Sequence, residues 1–99
     1  MYAAQQRTRD FNHSKMWELL QAASCADCKI EDSRVLEFDH RPDEKKSFSV
    51  SRAVAGSTRS WELIKKEIDK CDIVCANCHR IRTMTRGNYK RYKSSNMPL

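Results

Sequence analysis

Two C-x2-C pairs, "CADC" at Cys25/Cys28 and "CANC" at Cys75/Cys78, stand 46 residues apart. Each pair can offer two thiolates to one tetrahedral ion, and together they make the closed four-thiolate donor set of structural zinc. In favourable cases such a site contributes folding free energy on the order of 10 kcal/mol. The competing chemistry is a redox dithiol, which needs an exposed, low-pKa cysteine in a thioredoxin-like βαβ setting. No such pattern surrounds either pair. The fifth cysteine, Cys71, could replace Cys75 or Cys78 as a ligand, but C-x3-C breaks the symmetry of the pairs. A small buried residue at the start of "CDIVC" suits it better. Four thiolates leave no open position, so this ion would explain stability and not reactivity.

Reactivity falls to Asp39, His40 and His79. The stretch "LEFDHRP" sets Asp39 beside His40, and His79 directly follows the second cysteine pair. Singly, each has a plain explanation: an aspartate is usually a turn residue, and a histidine a surface or satisfied core group, as His13 is read. Together, a carboxylate and an imidazole with open positions for water and phosphate suit a hydrolytic divalent cation. A second imidazole next door suits a general base near neutral pH. Neighbours on a regular strand point to opposite faces. For Asp39 and His40 to share a site, the strand should end or bulge at this pair, with Pro42 forcing the exit.

These residues must be positioned by few elements. Ninety-nine residues make one small domain with a lean core, for which a metal staple is expected. The apolar spacing of Met16, Leu19, Leu20 and Ala23, with Trp17 beside them, predicts a helix over 12–23. The first ten residues and residues 94–99 read as flexible ends. "RVLEFDH" reads as a short strand, and a helical turn is expected near Ser51–Ala55. Ser60 is an N-cap for a helix in "WELIKKEIDK", with Trp61, Ile64 and Ile68 on one face. "CDIVC" reads as a second strand and "ANCHRIRTMTR" as a helix ending near Gly87. Both tryptophans are assigned to the core.

The net charge of +6 is unevenly placed. Residues 1–79 balance thirteen basic against thirteen acidic residues. The whole excess lies in Arg80, Arg82, Arg86, Lys90, Arg91 and Lys93, among which no acidic residue falls. Such a block is either a solvated tail or a phosphate-binding surface, and Tyr89 and Tyr92 could stack on a sugar or base. Neither a membrane span nor the apolar core of a signal peptide is apparent. Reduced thiols then point to an intracellular, cytoplasmic setting, where paired cysteines more often bind metal.

"LEFDH", followed downstream by "CDIVCANCHRIRT" and preceded by "CADC", resembles the zinc-containing branch of the HNH endonucleases over residues 25–86. The resemblance implies an α+β domain with a ββα-metal, treble-clef-like core, stapled by zinc on Cys25, Cys28, Cys75 and Cys78 and carrying additional helices. It implies a metal-dependent DNA endonuclease of a kind common in phages and mobile elements, and so a viral or bacterial source. Asp39 and His79 would hold one catalytic divalent cation (Mg2+, Mn2+, Ni2+ or Zn2+), and His40 would be the general base. The basic run from Arg80 would contact DNA phosphates with little sequence preference.

Two positions depart from the family pattern. Lys70 stands where an asparagine usually orients the base, with Asn77 in the right order but inside the knuckle. Thr83 stands where some relatives carry a further histidine ligand. The insertion holding the helix after Ser60 is expected to pack against the core and fix the loop that orients His40, with backbone contacts compensating for the asparagine. The rival function is a zinc-stabilised DNA-binding module without catalysis. One such site cuts one strand, so a double-strand break would need two subunits or two encounters. The sequence fixes neither a dimer nor a partner protein.

Overall fold

A computed structural model describes residues 2–87. Its elements are α1 (Tyr2–Gln21), a 3-10 turn (Ser33–Val35), β1 (Leu36–His40), α2 (Val50–Gly56), α3 (Trp61–Ile68), β2 (Cys71–Cys75) and α4 (Ala76–Gly87). Among the described residues the fold is thus a small α+β domain of four helices and a two-stranded antiparallel sheet. No helix in this range is long and apolar enough to cross a membrane.

Helix α1 begins ten residues earlier than the apolar spacing predicts, so residues 3–10 are helical rather than a loose end. The segment "AAQQR" consists of strong helix formers with no glycine or proline, which extends a helix without any buried face. Gln6 Nε2 donates to Asp10 Oδ1 at 2.9 Å, one turn on. The helix docks through its second half. Leu20 is buried, Met16 and Trp17 pack beside it, and the buried Asn12 donates its side-chain amide to the Arg59 carbonyl at 2.8 Å.

Two apolar clusters hold the elements together. Leu20, Cys25, Leu36, Val74 and Cys75 form one, beneath the sheet and the first cysteine pair. Val50, Ala53, Val54, Ile64 and Ile68 form the other, between α2 and α3. Met16 and Phe38 touch both, so the clusters are joined rather than separate. Trp17 and Trp61 sit against these clusters, as assigned. Each fully buried aliphatic side chain contributes about 1.5–3 kcal/mol, and the described residues include ten buried apolar ones. Ser60 caps α3 as expected, its hydroxyl accepting from Leu63 N–H.

β1 pairs with β2 in unbroken register, Leu36 opposite Cys75 through His40 opposite Cys71. The expected bulge at Asp39–His40 is therefore absent. The strand stops at His40, before Pro42, but stays regular through both residues. Leu36 and Phe38 face the core, and His40 follows them to that side, where it meets α3. Glu37 and Asp39 face the opposite way, toward α4. Alternation wins here because the register to β2 is unbroken, with no extra residue to turn either side chain out of its face.

Candidate functional site

The four cysteines predicted to share an ion come together. The Sγ atoms of Cys25, Cys28, Cys75 and Cys78 all lie within 4.8 Å of one another, and Cys28 and Cys75 are 3.7 Å apart. A tetrahedral ion with metal–sulfur bonds near 2.3 Å sets its sulfurs roughly 3.8 Å apart. The donor set and its spacing therefore fit zinc. Local backbone geometry explains the convergence. Cys25 N–H donates to the Ile30 carbonyl and Lys29 N–H to the Cys25 carbonyl, closing a tight turn that puts Lys29 in the left-handed region (φ 71°). Ala26 N–H donates to the Ile73 carbonyl and ties this turn to β2. The second pair straddles the junction of β2 and α4.

Electrostatics in the cluster are compatible with a bound cation. Burial opposes ionisation of Cys25, but backbone N–H groups of Cys28, Cys75 and Asp27 outweigh it and bring its thiol down to about 6. Cys78 is pushed the other way, to about 12, by its hydrogen bond to Cys75, by burial and by the other sulfurs. One thiolate is stabilised and its neighbours are then penalised, as like charges in one place must be. A bound divalent ion removes that penalty. Cys71 lies outside the cluster, with its thiol directed to the Glu67 carbonyl at 3.5 Å and raised to about 11, chiefly by burial.

Asp39 and His79 also meet, His79 Nε2 lying 3.4 Å from Asp39 Oδ1. Two ligand atoms each ~2.1 Å from one ion and this far apart subtend roughly 108°. The sequence did not single out Glu37, whose Oε1 lies 2.5 Å from His79 Nδ1. A proton on Nδ1, held by this carboxylate, leaves the Nε2 lone pair facing a carboxylate oxygen of Asp39. That arrangement could hold a cation, since a carboxylate on the far nitrogen is how ligating histidines are oriented, and it equally suits a protonated ring bridging the two carboxylates. The signal for Glu37 was its place two residues before Asp39, on the same strand face.

Two of the residues expected to contact DNA, Arg82 and Arg86, are engaged by carboxylates of the protein itself. Arg82 and Arg86 recur with His79 at i, i+3 and i+7, on the α4 face that looks at β1. Both guanidinium groups are spent inside the protein. Arg86 donates to both oxygens of Asp39 at 2.9 and 3.0 Å, and Arg82 reaches Asp39 at 2.9 Å. Arg82 also clamps Asp72 at 2.9 Å and makes two 2.7 Å bonds to Asp27 inside the first knuckle. Burial would raise the Asp39 carboxyl, but the two arginines outweigh it and hold it below the usual range. Asp39 and Asp72 are directly opposed across the strands, a repulsive pair without such a clamp. Arg80 alone of the described basic run is exposed and unengaged by any carboxylate. Lys90, Arg91 and Lys93 lie outside the described residues.

His40 takes a different partner from Asp39 and His79. Its Nε2 lies 2.7 Å from Glu67 Oε2, on α3. Glu67 also accepts from Ser47 N–H at 2.9 Å and from Lys70 Nζ at 2.9 Å. Burial would raise this carboxyl, but those three donors outweigh it and hold it at about 2. The insertion does pack against the sheet and fix the loop after His40, and Arg41 N–H donates to the Lys70 carbonyl. The contact on His40 itself, however, is a side-chain carboxylate and not backbone. Lys70 steadies that carboxylate and the loop at Lys45 and Ser47. Glu67 is the buried member of an otherwise apolar stripe between Ile64 and Ile68, which was its signal in the sequence.

Opposite strand faces still reach one space. β1 is paired along one edge only, and a cleft of about 210 Å³ is lined by Glu37, His40, His79, Lys46 and Ser49. His40 from one face and His79 from the other thus border the same opening. His13 is exposed on α1, away from this cleft. Searches against protein-family models, curated proteins and solved structures give no match to this chain.

Proposed function

We propose that this protein is a metal-dependent DNA endonuclease of the HNH type, with β1, β2 and α4 as a ββα-metal core and zinc on the four cysteines. The observation that carries the reading is the 3.4 Å approach of His79 Nε2 to Asp39 Oδ1, with Glu37 on the far side of the ring. That pair fits one divalent cation, which would supply Lewis-acid stabilisation of charge on the scissile phosphate and its leaving oxygen. Asp39 and His79 would hold it. Glu37 keeps the proton on Nδ1 of His79. His40, across the cleft, removes a proton from the attacking water. Arg80, at the rim beside Glu37 and His79, supplies a phosphate contact.

A second reading, a zinc-stabilised DNA-binding module without catalysis, is favoured by one feature. Asp39 is already neutralised by Arg82 and Arg86, so a cation there competes with two fixed positive charges. Purified protein incubated with supercoiled plasmid in magnesium, manganese, nickel or no added metal separates the two. The endonuclease reading expects metal-dependent nicking, and none from folded His40→Ala protein. Plasmid binding without nicking in every metal would establish the binding module instead. Equal cutting by wild type and His40→Ala would remove His40 as base.

A further inference from the structure

The endonuclease reading accounts for Asp39, His40 and His79 but leaves a buried carboxylate unexplained. Glu67 is only 2% exposed. A carboxylate taken out of water costs several kcal/mol unless every oxygen is engaged. Here both are, by Ser47 N–H, Lys70 Nζ and His40. Ser47 and Lys70 would suffice to hold the loop against α3. The third bond goes to the imidazole of His40, a residue that lines the cleft together with Glu37 and His79.

We propose that Glu67 is the positioning residue for His40, fixing its ring and placing its proton on Nε2 so that Nδ1 is the accepting atom. The catalytic part of this rests on the endonuclease reading; the contact itself does not. An ionised carboxylate only accepts hydrogen bonds, so the nitrogen facing it must donate. The two histidines of the cleft are thereby set in opposite senses. Glu37 takes the Nδ1 side of His79 and frees Nε2, whereas Glu67 takes the Nε2 side of His40 and frees Nδ1. In the proton-transfer step the water proton moves to His40 Nδ1 and later leaves to solvent. Nε2–H stays hydrogen-bonded to Glu67, which keeps its charge throughout. A carboxylate in this place also stabilises the imidazolium formed on the way.

The test uses zinc-loaded full-length protein, with nuclear magnetic resonance of the His40 ring and single-site kinetics on plasmid. Wild type should show a slowly exchanging His40 Nε2–H resonance. Glu67→Met should lose it and lower kcat about 100-fold, with KM for DNA, zinc content and circular dichroism unchanged. Glu67→Gln retains an oxygen acceptor and should recover part of the loss. A merely structural role would instead reduce the folded fraction and leave kcat per folded molecule unchanged. Absence of the protected Nε2–H in wild type, or full kcat in folded Glu67→Met, overturns the proposal. Should Glu67→Met not fold, the wild-type resonance and Glu67→Gln decide. Wild-type protein that cuts nothing would sink the endonuclease reading while the resonance still tests the contact.

Discussion

Replacing Arg82 by methionine should destabilise the fold before it affects any ligand. One guanidinium bridges Asp27 in the first knuckle, Asp39 on β1 and Asp72 on β2, with all contacts between 2.7 and 2.9 Å. Its Asp27 arm ends on a side chain that is 40% exposed, so solvent screens it and its share is small. The arm to Asp39 ends on a carboxylate 5% exposed, where a charged hydrogen bond contributes about 1.5–3 kcal/mol. Asp39 retains Arg86, which spares the full cost of an orphaned buried charge. Together these give a loss of about 2–4 kcal/mol, a large fraction of a small domain's stability. Urea unfolding at fixed zinc should show it as a lower midpoint at constant slope. Arg82→Lys should recover only part, since a point charge cannot span three carboxylates. Adding Asp39→Asn to Arg82→Met should restore about 1–2 kcal/mol through the double-mutant coupling. Stability within about 0.5 kcal/mol of wild type, joined to a weaker salt dependence of DNA binding, would refute this and make Arg82 a phosphate contact.

Cys25→Ser should cost the chain its zinc and its folded structure together, whereas Cys71→Ser should keep about one zinc per chain; metal analysis beside circular dichroism checks both. Arg80→Gln should leave stability unchanged and reduce the slope of log affinity against log salt by about 0.9, measured by DNA titration at several ionic strengths. Glu67 has a folded pKa of about 2 against an ordinary 4.5, so its stabilisation is present above pH ~4.5 and lost as pH falls through about 2. By linkage it is about 3 kcal/mol, and urea midpoints across that acid range should lose this share of their slope in Glu67→Gln.

How far the sequence could be read follows from the range of each signal. "CDIVC" was placed at its observed bounds and "ANCHRIRTMTR" within a residue of them, because a strand between a charged helix end and a cysteine pair has local markers at both ends. Ser60 was found for the same reason, a capping hydroxyl directly before an amphipathic run. The start of α1 was missed because its first turns have propensity but no buried face, and apolar spacing was the only criterion applied. The fate of Arg82 and Arg86 was illegible for a different reason. A basic residue looks the same in sequence whether it faces phosphate or a carboxylate brought in from 43 or 47 positions away.

The Asp39–His40 pair shows what regular structure can do without distortion. Alternation along β1 assigns each side chain to its own helix: Asp39 to α4 with its arginines, His40 to α3 with Glu67. Only one edge of β1 is paired, and Glu37 and His40, from opposite faces of the strand, both line the cleft. A bulge would have brought the two side chains together at the expense of ladder hydrogen bonds in a two-stranded sheet that has few. The regular strand keeps those bonds and shifts the burden to the helices. α4 is anchored at its start by Cys75 and Cys78, and Arg82 binds back to Asp27 between Cys25 and Cys28. His79 therefore holds its place opposite Asp39 only while the four sulfurs hold theirs, so removing zinc should disorganise the cleft even though none of its lining residues is a cysteine.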